Sequence, residues 1–209
     1  MTNPNRLVDQ CVHKGLIYLA ESLQYWTEYF EVAENNIALH LARSFAEKGF
    51  QVLAEIPFDG EKRRLDFLAY SYTENITVAL EFKNSIETPQ GNYEDLNRLV
   101  KIHNKGLRVH DLMDSEHKVY GIVTLLHSIE FADWWYEPKT YDYMPKGRSA
   151  NDYKNIGRAL EITPDRWVIP LVERLRAEPV GIQWRFLRAA CALYDQNLIS
   201  ELGSVLGAS

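Results

Sequence analysis

Only two cysteines, Cys11 and Cys191, occur in the 209 residues. Both stand in stretches with helical spacing and share no CxxC pattern, which points to buried free thiols rather than a disulfide or a zinc knuckle. Long apolar runs are missing too: nothing approaches the roughly 18 residues needed to cross a bilayer. The opening "MTNPNRLVDQ" lacks the basic and apolar regions of a secretory leader. A cytoplasmic protein without membrane contact is expected. Positive charge is also short, with 23 Lys and Arg against 29 Asp and Glu for a net −6. Such a chain cannot draw affinity for duplex nucleic acid from bulk phosphate neutralisation, so any such contact must come from local patches. His103, His110 and His117 recur every seven residues, but no HExxH or comparable ligand spacing supports zinc. Internal repeats, low-complexity tracts and linkers are absent, and residues 1–209 read as a single domain.

What is present is the composition of an ordinary globular protein, with 46% hydrophobic and 25% charged residues. Residues 5 to about 30 space apolar side chains three and four apart (Leu7, Cys11, Leu16, Leu19, Leu23, Trp26), predicting an amphipathic helix interrupted near Gly15. It would pack on the core or on a second subunit. A second helix runs over 31–49 to a stop at Gly49, with Ile37, Ala38, Leu41 and Phe45 on one face and Glu34 on that same side. The period then changes to three β-rich runs, 50–58, 63–71 and 76–84, separated by "DGEK" and "YTEN" and forming an antiparallel meander. A helix over 92–106 and a buried strand over 118–128 follow. From 131 the aromatic stretch "FADWWYEPKTYDYMPKGR" reads as irregular, residues 163–177 as a helix that Pro170 argues against, and 181–200 as a firmer amphipathic helix. The closing "GSVLGAS" reads as a frayed tail. The expected architecture is α/β: a core over 31–127 with a central mixed sheet flanked by helices, a helical extension over 1–30, and an aromatic excursion with C-terminal helices over 128–209.

Three charges sit inside this core. Strand alternation puts Glu81 and Lys83 on one face with Ala79, and a short turn lays Asp66 beside Glu81. Two carboxylates and one ammonium leave excess negative charge, and burying it unpaired costs several kcal/mol. Hard oxygen ligands with open positions suit Mg²⁺ or Mn²⁺. The tripeptide acid-x-Lys occurs four times, at Glu81, Glu116, Glu137 and Asp152. Only the one at Glu81 ends an apolar strand and follows an acid at a hairpin's distance, 81 minus 66 being 15 residues. With Glu34 on the preceding helix, Asp66 and "EFK" at 81–83 resemble the PD-(D/E)xK nuclease superfamily over residues 31–127. The resemblance implies a restriction-endonuclease-like core that hydrolyses phosphodiester bonds. It further implies that Asp66 and Glu81 bind Mg²⁺ with help from the Phe82 carbonyl, that Lys83 orients or activates water, and that Glu34 supports the metal. One departure is Leu65, not proline, before Asp66.

Candidate phosphate contacts are Arg63 and Arg64, with Lys62 before them, and Arg98, Lys101 and Lys105 on the following helix. Arg98 has an alternative partner in Asp95, three positions earlier. Trp134, Trp135, Tyr136, Tyr141 and Tyr143 either stack on bases or pack a segment onto the core. DNA is favoured over RNA as the partner, and a homodimer is left open. The competing reading is a non-catalytic binding or assembly module on the same fold, which the acidic charge favours.

Overall fold

The computed structural model describes residues 4–23, 34–57, 64–85, 90–106, 115–127, 129–138, 150–178 and 181–207. Helices α1 (Pro4–Leu23) and α2 (Glu34–Ala46) precede strands β1 (Gln51–Pro57), β2 (Arg64–Ser71) and β3 (Ile76–Ser85). Helix α3 (Gln90–Lys105) leads to β4 (His117–Leu126). Then come α4 (Ile129–Tyr136), α5 (Ala150–Ile162), β5 (Arg166–Glu178), β6 (Gly181–Asp195) and α6 (Gln196–Leu206). The six strands make one mixed sheet in the order β1-β2-β3-β4-β6-β5; only β3 and β4 are parallel neighbours.

Alternation along each strand divides the core between the two sides of this sheet. Val78, Leu80 and Phe82 of β3 and Cys191 and Leu193 of β6 face α1 and α2, meeting Val12, Leu16, Leu41 and Phe45. Ala79 of β3, Ile122 of β4 and Ala190, Ala192 and Tyr194 of β6 face the other way, toward Leu96 and Leu99 of α3, Trp135 of α4, Leu160 of α5 and Leu202 of α6. The architecture is α/β, with a six-stranded mixed sheet flanked by helices on both sides. Among the described residues no helix is long and apolar enough to cross a membrane. Cys11 and Cys191 are buried free thiols, as expected.

The meander and the helix–strand pair that follows it match the expectations. The second turn, 72–75, closes with Asn75 at a left-handed φ of 52°, and Gly49, at φ 81°, lies just beyond α2. Helix α1, however, passes through Gly15 without a break. The glycine serves close packing there: a Cβ at Gly15 would lie 2.9 Å from the Leu41 Cα of α2.

The C-terminal third departs from its expected helices. Residues 131–136 are helical rather than irregular, within α4, and bury Phe131, Trp134 and Trp135. The segment read as a helix over 163–177 is, from Arg166 on, strand β5 at the edge of the sheet, where Pro170 sits beside a register shift. The segment 181–200 is strand β6 as far as Asp195. Its alanines favour a helix locally. Placed between β4 and β5, the run Leu187–Tyr194 is nevertheless buried on alternate faces apart from the half-buried Arg188, and interior strands of that kind lose the polar half of the period-2 signal. As far as Gly207 the tail is not frayed either; Ala208 and Ser209 lie outside the described residues. Asp195 caps α6 by accepting from the Asn197 and Leu198 amides, and Leu202, Gly203 and Leu206 are buried.

The Gly15 contact is directly testable. Gly15→Leu should lower the unfolding free energy by about 3 kcal/mol, the upper range for overpacking. Ile17→Ala on the same helix, at a side chain 42% exposed, should change it by about 0.5 kcal/mol or less. Urea denaturation compares the two, and equal midpoints would show that α1 and α2 are not held in this contact.

Candidate active site

The site grows from a strand that outlasts its neighbour. β3 pairs with β2 from Ile76 to Leu80, but with β4 all the way to Ser85. The side of β3 facing β2 is therefore without a backbone ladder beyond Leu80, and its amides need other acceptors. Side-chain carboxylates supply them: the Phe82 amide donates to Asp66 Oδ2 at 2.7 Å and the Asn84 amide to Glu34 Oε1 at 3.1 Å. One step past the Phe67↔Leu80 pair, Asp66 stands across from Glu81, on the sheet face covered by α3. Glu34 arrives from the start of α2, on the other layer.

Glu81 is fully buried. Its Oε2 accepts from Arg98 Nη1 at 2.5 Å, and the other arm of the guanidinium, Nη2, donates to Asp95 Oδ1 at 2.9 Å. Asp95 and Arg98 stand three apart on α3, one turn of the same helix. Among the described residues, the buried atoms Glu81 Oε1 and Asp95 Oδ2 have no hydrogen-bond partner. Burial pushes the Glu81 pKa well above the ordinary carboxylate range, and the nearby Asp66 adds to this, against the pull of Arg98. Burial likewise raises Asp95 to about 6, opposed by Arg98 and Lys83. Both shifts favour a proton on the carboxyl, and Arg98 opposes both.

Lys83 shares the Glu81 face of β3, and its Nζ lies 3.5 Å from Glu34 Oε1. Both side chains are more than one-third exposed, so the pair itself contributes roughly 0–1 kcal/mol. The aliphatic stem of Lys83 runs over Gly91, near the start of α3, where an added Cβ would lie 2.4 Å from Lys83 Cε. Together these elements enclose an open cavity of about 450 Å³. Among the described residues, five carboxylates line it (Glu34, Glu55, Asp66, Glu94, Asp95) with three cations (Arg64, Lys83, Arg98), and the Glu81 carboxyl is buried in β3 beside Asp66.

The structure brings Asp66, Glu81, Phe82, Lys83 and Glu34 together. Arg64 lines the cavity at its edge. Arg98 is bound to Asp95, the alternative partner, as well as to Glu81. Lys101 lies one turn farther along α3, exposed. Lys62, Arg63, the "DGEK" turn, His110, Tyr141 and Tyr143 lie outside the described residues. Trp134 and Trp135 are core residues, which removes them as base-stacking platforms; Tyr136 is exposed. His103 hydrogen-bonds with Tyr120 and Ser200, and His117 opens β4.

Two further positions shape the site without a sequence signal of their own. Gly91 gave no signal because its role is an absence, the missing Cβ under Lys83. Glu55 lies between the Ala54↔Phe67 and Ile56↔Leu65 pairs, across from Asp66, with a left-handed φ of 54°. Such a backbone costs a non-glycine residue about 1–3 kcal/mol.

Among the described residues no three His, Cys, Asp or Glu side chains gather closely enough to hold a metal ion by themselves. The arrangement instead offers two carboxylates, Asp66 and Glu81, which is the protein's usual share where water and phosphate complete the shell around Mg²⁺. Among the described residues Glu81 Oε1 has no donor and carboxylates outnumber cations in the lining, which fits such a cation. Family models, curated proteins and solved structures offer no match to this chain.

Gly91→Ala should leave the thermal midpoint unchanged or raised, since alanine is the better helix former, yet displace the Lys83 side chain. NMR of isotopically labelled lysines would show the Lys83 signal moving, and an unmoved signal would refute the contact. The raised Asp95 pKa carries a sign as well. A carboxyl that titrates higher in the folded chain stabilises it fully below the unfolded value, 3.8, and loses that contribution as pH rises through about 6. In chelator-containing buffer, wild type should therefore lose stability relative to Asp95→Asn between about pH 4 and about pH 6. Parallel pH profiles of urea midpoints would contradict the shift.

Proposed function

We propose that the protein is a metal-dependent nuclease that hydrolyses phosphodiester bonds in DNA, on a restriction-endonuclease-like core of the PD-(D/E)xK kind. One observation carries the reading: Asp66 and Glu81, 15 residues apart in the chain, face each other across β2 and β3 beside Lys83, with a buried oxygen of Glu81 that has no donor among the described residues. Asp66 and Glu81 would hold Mg²⁺ or Mn²⁺, with the Phe82 carbonyl and Glu34 in support. A bound ion would stabilise charge developing on the phosphate and lower the pKa of a water molecule.

The chain's own groups do the rest. The carboxylates of Asp66 and Glu34 are each anchored by a β3 amide, so their positions are fixed relative to Glu81 and Lys83. Lys83 Nζ, held near Glu34, places a positive charge and exchangeable protons at the cavity where the phosphate would sit. Arg64 at the cavity edge, Arg63 before it and Lys101 on α3 supply phosphate contacts along the backbone of the nucleic acid.

A second reading has its own support. Arg98 already neutralises one oxygen of Glu81, as in a nuclease fold kept only for binding or assembly. Divalent-ion affinity separates the two. Saturating Mn²⁺, at about 100 times its dissociation constant, should stabilise the nuclease by about 2.7 kcal/mol; a non-catalytic module should not respond.

The direct experiment is cleavage of plasmid and of single-stranded DNA with Mg²⁺ or Mn²⁺. Wild type should cleave, EDTA should abolish cleavage, and Lys83→Ala and Asp66→Ala should each lose at least about 100-fold. Equal residual activity in all three proteins would reject the proposal.

A further inference from the structure

We infer that Arg98 is the positioning residue for Glu81, holding one carboxylate oxygen so that the other faces Asp66, and that Asp95 in turn positions Arg98. The inference rests on the nuclease reading and deepens it. The sequence suggests a phosphate contact for Arg98, but the arginine is only 11% exposed and both arms of its fork are occupied, Nη1 by Glu81 and Nη2 by Asp95. A phosphate contact needs an arm turned to solvent.

The geometry divides the labour of Glu81 between its two oxygens. Oε2 is pinned by Arg98, and Oε1 is buried with no donor among the described residues. A glutamate side chain has three rotatable bonds, and fixing one oxygen against a rigid guanidinium removes most of that freedom before a cation arrives. Asp95 serves the same end one step farther out. Its Oδ1 takes the second arm of Arg98, and the three-residue spacing on α3 fixes where that arm lies. Lysine cannot replace this arrangement, because an ammonium is a point donor without the planar fork that spans two carboxylates.

The test measures two quantities on the full chain: Mn²⁺ affinity, from the free-ion signal in electron paramagnetic resonance, and binding of a labelled oligonucleotide in EDTA. Arg98→Lys retains the charge and Asp95→Asn retains the shape, so both keep the fold testable if Arg98→Ala does not fold. Each should weaken Mn²⁺ binding by about 10- to 100-fold and leave metal-free oligonucleotide binding unchanged. Wild-type Mn²⁺ affinity in both variants, or a loss of oligonucleotide binding in EDTA with Mn²⁺ affinity intact, would overturn the positioning role and leave the nuclease reading standing. A wild-type chain that binds no Mn²⁺ would instead remove that reading, and this inference with it.

Discussion

A fully buried carboxylate is the constraint around which the rest of the site is arranged. Glu81 lies on β3 beneath α3, and removing such a charge from water is tolerated only with a partner, a proton or a cation. Arg98 supplies the partner, from a helix that must therefore cross this face of the sheet at this height. The compensation is incomplete, since Asp66 and Asp95 bring two further carboxyls close to the same guanidinium. Burial above all, with neighbouring carboxyls adding to it, raises the pKa of Glu81 and of Asp95 and favours a proton on each. A cation from outside the chain would oppose that shift.

The same residues also finish the sheet. β3 continues five residues past the end of its pairing with β2, and Asp66 and Glu34 satisfy the Phe82 and Asn84 amides left facing that gap. Each therefore acts as an edge cap as well as a candidate ligand support. The architecture explains why the cavity opens here. At the end of β3 the sheet has lost a strand on one side, the β1 ladder is interrupted by left-handed Glu55, and the N-terminal turns of α2 and α3 approach from opposite layers. Gly91 keeps α3 close enough for Lys83 to lie across it.

Stability comes from elsewhere, from two apolar layers pressed on either side of one sheet. β6, filled with alanines and Cys191, lies between β4 and β5 and lets helices approach both of its faces. α1 is tied to β5 by the Trp167–Asp9 hydrogen bond and to the residue before that strand by Asn5–Asp165, and its Gly15 allows contact with α2, which carries Glu34. Packing of the N-terminal helices and the position of one site residue are thereby linked.

The sequence by itself determined the elements whose local signals agree: the meander with its 72–75 turn, the helix and strand after it, and the facing of Asp66, Glu81 and Lys83. Alternation with period 2 and a hairpin of known length are local properties, so they can be read without the fold. They could not reveal that β6 is a strand, because an alanine-rich run takes whichever form its neighbours require, and those neighbours, β4 and β5, are distant in the chain. Nor could they choose between phosphate and Asp95 for Arg98, or show that Glu81 is a partner as well. Only tertiary structure, by burying Glu81 under α3, made that choice, because the demand for a counter-charge arises when water is excluded and not before.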